Sequence, residues 1–82
     1  MAKEKKYKVM AEGLGRLDIL NRISVLYCQR HIPVESLSFS SLGNGESLYS
    51  LCAVTDEDTI QKVVSQMSRI IDLRKVKYTE VI

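Results

Sequence analysis

Polar and apolar positions alternate at the start of the chain. Tyr7, Val9 and Ala11 interleave with Lys6, Lys8 and Met10, the period of a strand with one face on a core. This predicts a first strand over residues 5–12. Gly13-Leu14-Gly15 interrupts the alternation, and from Leu17 the apolar positions shift to Ile19, Leu20, Ile23, Leu26 and Tyr27. That three-and-four spacing makes a single stripe on a helix over residues 17–30. Pro33 stops it. Alternation resumes from Val34 to Ser40, with Leu37 and Phe39 on one side, expected beneath the helices, and serines on the other.

Gly43-Asn44-Gly45 is a hairpin signal, because these residues accept the positive φ of a tight turn. The run that follows, Leu48 to Val54, is denser in apolar residues and reads as a central strand. Thr55 is the expected cap of a second helix, with Asp56, Glu57 and Asp58 at the positive end of its dipole. Its buried face is read as Ile60, Val63, Val64, Met67, Ile70 and Ile71, and a last strand covers about Leu73 to Val81, with Val76 and Tyr78 on one side. The order strand, helix, strand, strand, helix, strand predicts an α+β fold, the ferredoxin-like βαββαβ arrangement with two helices on one face of a four-stranded antiparallel sheet. In that topology the first and third strands are central, so the serine-rich segment Val34 to Ser41 is an exposed edge.

Composition narrows the function. Eighty-two residues, 45% of them apolar and 27% charged, suit one domain, read as residues 5–82 behind a flexible tail at 1–4. No apolar run is long enough to span a bilayer and the N-terminus lacks a secretory h-region, so a cytoplasmic location is expected, with no membrane partner. Four of the twelve basic residues and one of the ten acids fall in the first eight positions, leaving eight basic residues against nine acidic ones. A near-neutral body argues against nucleic acid. Base stacking on this topology needs aromatics on the central strands, where only Tyr7 and Tyr49 qualify.

No catalytic or metal-binding set emerges. Cys28 and Cys52 are far apart, and the single His31 cannot complete a zinc site with them. Both thiols are expected to be reduced core residues. Cys28 and His31 stand three residues apart at a helix end, a weak arrangement for a nucleophile. Gly13-Leu14-Gly15 lacks the rest of a phosphate-binding loop. Arg16 offers a remote acylphosphatase-like option, without a matching Asn. Met10, Met67, Ile70 and Ile71 form either core or a docking patch, and the helical ones sit at core positions.

The run Ile19-Leu20-Asn21-Arg22-Ile23-Ser24-Val25-Leu26-Tyr27-Cys28-Gln29-Arg30-His31-Ile32-Pro33-Val34-Glu35-Ser36-Leu37 resembles the ACT domain of acetohydroxyacid synthase (acetolactate synthase) small regulatory subunits, V-L-S-R-I-x-G-L-F-x-R-R-G-Y-N-I-E-S-L. A second stretch, Asp56 to Ile60 and on through Gln66-Met67-Ser68-Arg69-Ile70-Ile71-Asp72-Leu73-Arg74-Lys75-Val76, is similar to that family's D-E-x-x-x-x-x-x-x-Q-L-x-K-L-x-D-V-x-K-V. The resemblance implies the short, single-ACT form: a noncatalytic subunit that forms a homodimer along Val34, Glu35, Ser36, Leu37, Ser38, Phe39 and Ser40 and stabilises a large catalytic subunit. Thiamine diphosphate, magnesium and flavin would belong to that large chain, with no cofactor here.

The resemblance also implies an effector pocket for a branched-chain amino acid such as valine, at Gly15, Arg16, Leu17, Asp18 and Ile19 with Pro33 and Val34 of a partner. Here the chain departs from the family. Gly15 stands at the loop Asn, Leu17 and Asp18 at a Pro/Ser-Gly pair, and Pro33 at the Asn before the second strand. Asp18 would repel a ligand carboxylate and Pro33 removes donors, so weak or absent valine binding is expected. The alternatives are a free-standing ACT-like sensor that reads another small ligand with Arg16 and Asp18, and an enzyme using Arg16 or Cys28.

Overall fold

The computed structural model describes residues 3–82, so the first half of the expected tail, Met1 and Ala2, lies outside the described residues. The elements are β1 (Lys5–Leu14), α1 (Leu17–Gln29), β2 (Val34–Gly43), β3 (Glu46–Thr55), α2 (Glu57–Met67) and β4 (Leu73–Glu80). The strands lie in the order β2-β3-β1-β4, with every neighbouring pair antiparallel. This is the ferredoxin-like βαββαβ arrangement, with β2 and β4 as edges.

Directly opposed residues in an antiparallel pair share a face. The register sets Tyr7 against Ala53, Val9 against Leu51 and Ala11 against Tyr49, and all six are buried. Ile19, Ile23 and Tyr27 of α1 and Ile60, Val63 and Met67 of α2 close the core from above. Arg30 Nε donates to Gln66 Oε1 at 3.0 Å and ties the helices together. One buried group is left over: the Tyr27 hydroxyl has no protein partner among the described residues.

Local chemistry explains the element ends. Asn44 and Gly45 form the two-residue turn between β2 and β3 with φ of 56° and 76°, both left-handed as a type I′ hairpin requires. The α1 end is a Schellman closure: His31 N donates to Cys28 O at 3.0 Å and Ile32 N to Tyr27 O at 3.0 Å. His31 therefore sits at φ 55°, a conformation glycine adopts at less cost.

Several expectations need correction. The cap of α2 is Asp56, whose Oδ1 accepts from Thr59 N at 2.8 Å. Thr55 is the last residue of β3 and is buried on the helix side, so its side chain is committed elsewhere. Ile71 lies past the end of α2 and is 90% exposed. Cys28 is exposed and Cys52 only half-buried, both free thiols outside the core. β1 runs two residues beyond the expected end and takes in Gly13 and Leu14. Leu37 and Phe39 do point to the helix side, opposite Leu51 and Tyr49, but they remain exposed, because β2 extends past the edge that the helices cover.

Candidate functional site

The loop of Gly15 and Arg16 joins β1 to α1. Gly15 N donates to Gly45 O at 2.8 Å, which ties the loop to the β2–β3 hairpin. A side chain at Gly15 would collide with Ser47 Oγ, so any larger residue would have to push the buried Ser47 side chain aside. Beneath it, Tyr49 on β3 is fully buried and its hydroxyl donates to Leu14 O at 2.6 Å while accepting from Arg16 N at 3.2 Å. One amide that a loop before a helix offers to an anion is thus already taken.

The helix start is also neutralised from within. Arg16 grips Asp18 with both arms of its guanidinium, Nε to Oδ1 at 2.9 Å and Nη2 to Oδ2 at 2.7 Å. That hydrogen bond is the main reason the Asp18 carboxyl is held below its ordinary value, with the Asp18 and Ile19 amides adding to it. The same pairing raises the Arg16 guanidinium. An incoming carboxylate therefore meets a negative charge and a cation already engaged. The remote anion-binding role for Arg16 faces the same obstacle.

Within one chain, the pocket residues do not come together. Gly15 to Ile19 lie at the start of α1, whereas Pro33 and Val34 follow its far end, and a thirteen-residue helix spans about 20 Å. The second part of the site is the β2 edge. All ten of its residues are exposed, including the apolar Val34, Leu37, Phe39 and Leu42. Phe39 stacks on Tyr49 with ring centroids 5.0 Å apart and planes at 24°, so the residue that holds the loop also supports the edge. Glu35 pairs with Lys6 at 3.0 Å.

Tyr49 is the functional-site residue that sequence reasoning missed. Its alternation places it on the inner face, but only the register with Ala11 sets its hydroxyl under the loop. Tyr7 and Tyr49 are both buried under the helices, which removes them as base-stacking surfaces. Cys28 and His31 occupy the exposed end of α1. No group of three or more metal-ligating side chains occurs among the described residues, and none of their helices is long and apolar enough to cross a membrane.

No protein-family model matches the sequence, and no curated protein matches it. Solved structures do match in shape. An uncharacterized protein of Thermotoga maritima superposes with a TM-score of 0.77 at 16% identity, over 96% of this chain and 99% of that one. The fold that these similarities define is that of a small α+β module. More particularly, it is the ACT-domain fold: the ACT domain of GTP pyrophosphokinase from Chlorobium tepidum gives a TM-score of 0.77 at 10% identity over 94% of this chain and 100% of that one. The acetolactate synthase small subunit of Thermotoga maritima gives 0.76 at 17% identity, over 90% of this chain but 47% of its own. This chain thus spans about half the length of that subunit.

Proposed function

We propose that the protein is a noncatalytic regulatory subunit of acetohydroxyacid synthase in branched-chain amino-acid synthesis, which dimerises through β2 and binds little or no valine. The observation that carries the reading is the β2 edge: ten exposed residues with unpaired backbone groups and an uncovered apolar pair, Leu37 and Phe39, a surface that suits a second copy. Antiparallel pairing of two β2 strands about a twofold axis near Ser38 would set Pro33 and Val34 of one protomer beside Gly43 of its partner. The β1–α1 loop lies at that same end of the sheet, since Gly15 is bonded to Gly45. Both halves of the effector pocket then meet across the seam.

Tyr49, Arg16 and Asp18 fill that pocket's polar sites from within. The proposed work of the subunit is therefore to favour the active arrangement of a large catalytic chain by binding it preferentially, and that chain would carry thiamine diphosphate, magnesium and flavin. The quoted sequence resemblance and the likeness to a small subunit support this choice of partner. A second reading is a free-standing sensor that reads another small ligand with the exposed Arg16–Asp18 pair at the β1–α1 loop. The test is to mix the protein with the purified catalytic chain of the synthase and follow turnover with and without valine. Raised turnover that valine leaves unchanged is expected. No effect on turnover, together with calorimetric binding of another amino acid to the isolated protein, would favour the sensor.

A further inference from the structure

The sheet face turned away from the helices is uncovered. The register places Lys8, Met10 and Glu12 of β1 there, beside Leu48, Ser50 and Cys52 of β3 and Lys75 and Lys77 of β4. A cavity of about 730 Å3 opens on this face, lined by Met10, Leu42 and Leu48, by Glu12, and by Arg74, Lys75 and Lys77, and it reaches round the β4 edge to Val76 and Ser68. Three acids answer the five cations here. Glu35 pairs with Lys6, Glu46 pairs with Arg74, and Glu12 stands opposite Lys75 in register. Lys8 faces Cys52 and Thr79, and Lys77 faces Met10, so two cations flank the apolar floor with no acid across the strand from either.

We infer that this face docks an acidic polypeptide segment of a partner protein, which seats apolar side chains on Met10 and Leu48 and turns carboxylates to Lys8 and Lys77. Charge complementarity selects this occupant. A second copy stacked face to face would set lysine against lysine. A lipid surface is entered by protruding apolar side chains, whereas Met10 and Leu48 are recessed in a groove. Single-stranded nucleic acid stacks on aromatics, and Tyr7, Tyr49 and Tyr78 lie on the helix side of the register. The inference goes beyond the reading of the preceding section and holds whether or not the partner is the synthase, because the face stays open when β2 is paired.

The test uses the full chain, labelled with 15N, titrated with a synthetic peptide of alternating Leu and Glu, with the same peptide carrying Gln for Glu, and with phosphatidylserine vesicles. Amide shifts centred on Met10, Leu48 and Lys77 are expected with the acidic peptide. The Gln peptide and the variant K8E/K77E should each bind about tenfold more weakly, with the mass by light scattering unchanged. If K8E/K77E fails to fold, K8Q/K77Q replaces it with the same expectation at a smaller loss. Shifts confined to β2, equal affinity for the charge-reversed variant, or a preference for vesicles that K8E/K77E abolishes would overturn the proposal. None of these outcomes depends on the synthase experiment.

Discussion

Replacing Tyr49 with Phe removes one oxygen atom from the centre of the candidate site. The ring is fully buried and its stack on Phe39 survives, so packing is preserved and the loss is confined to hydrogen bonds. Two main bonds are broken, the short one to Leu14 O at 2.6 Å and the longer one from Arg16 N at 3.2 Å, together with a weaker contact to Arg16 O at 3.3 Å that shares the same hydroxyl proton. A net hydrogen bond contributes about 1 kcal/mol, and a deserted buried group costs about 1–3 kcal/mol. Both bonds are only part-buried and Leu14 and Arg16 are exposed residues, so the lower end applies and about 1.5 kcal/mol is expected in sum. For a chain of 82 residues that lowers Tm by roughly 9 °C. The assay is urea unfolding by circular dichroism, with an unchanged m-value, together with hydrogen exchange at the Arg16 amide, which should accelerate. A variant within about 0.3 kcal/mol of wild type that keeps its Arg16 protection would refute the claim that Tyr49 holds the loop.

Three further outcomes follow from single side chains. Tyr27→Phe removes the unpartnered hydroxyl and should be neutral or stabilising by about 1 kcal/mol in urea unfolding. Burial pushes the Tyr27 phenol far above its ordinary value, so wild type loses stability as pH rises past about 10 and the variant should lose less; an unaltered alkaline arm would contradict this. His31→Gly relieves the left-handed residue at the end of α1 and should raise stability by about 0.5–1 kcal/mol, checked by the urea midpoint. Asp56→Ala should lower Tm at neutral pH. The bond from the Thr59 amide holds the Asp56 carboxyl below its ordinary value, so its contribution is complete above the unfolded-state value and disappears as pH falls through the folded one. The gap between wild type and Asp56→Ala should therefore narrow on acidification.

The fold was legible because each element is written in a period of its own. Alternation from Tyr7 to Ala11, the stripe Ile19, Ile23 and Tyr27, and the Asn44-Gly45 turn all appear in the structure where the pattern places them. A period reports which face a side chain takes, not whether anything covers that face. Leu37 and Phe39 took the expected face and stayed exposed, since cover depends on how far the helices reach across the sheet. At the start of α2 two good capping residues are adjacent, and the strand's burial of Thr55 decided between them. The stripe of α2 continues in sequence to Ile71, but the helix ends at Met67, and local periodicity does not mark that end. In the site, the opposition of Asp18 to an anion was readable from its place in the first turn, and its clamp by Arg16 needs only two residues of separation. The role of Tyr49 was not readable, because it joins groups more than thirty positions apart through the β1–β3 register.

The central claim is that two copies join along β2, and the mass of the protein in solution tests it most directly. Size exclusion with light scattering should give twice the 9.3 kDa chain mass. Leu37→Lys, at a position half-exposed in the single chain, should return the mass to one chain with the circular dichroism spectrum unchanged. A wild-type protein that stays at the mass of one chain at high concentration, or a dimer that Leu37→Lys leaves intact, would contradict the account.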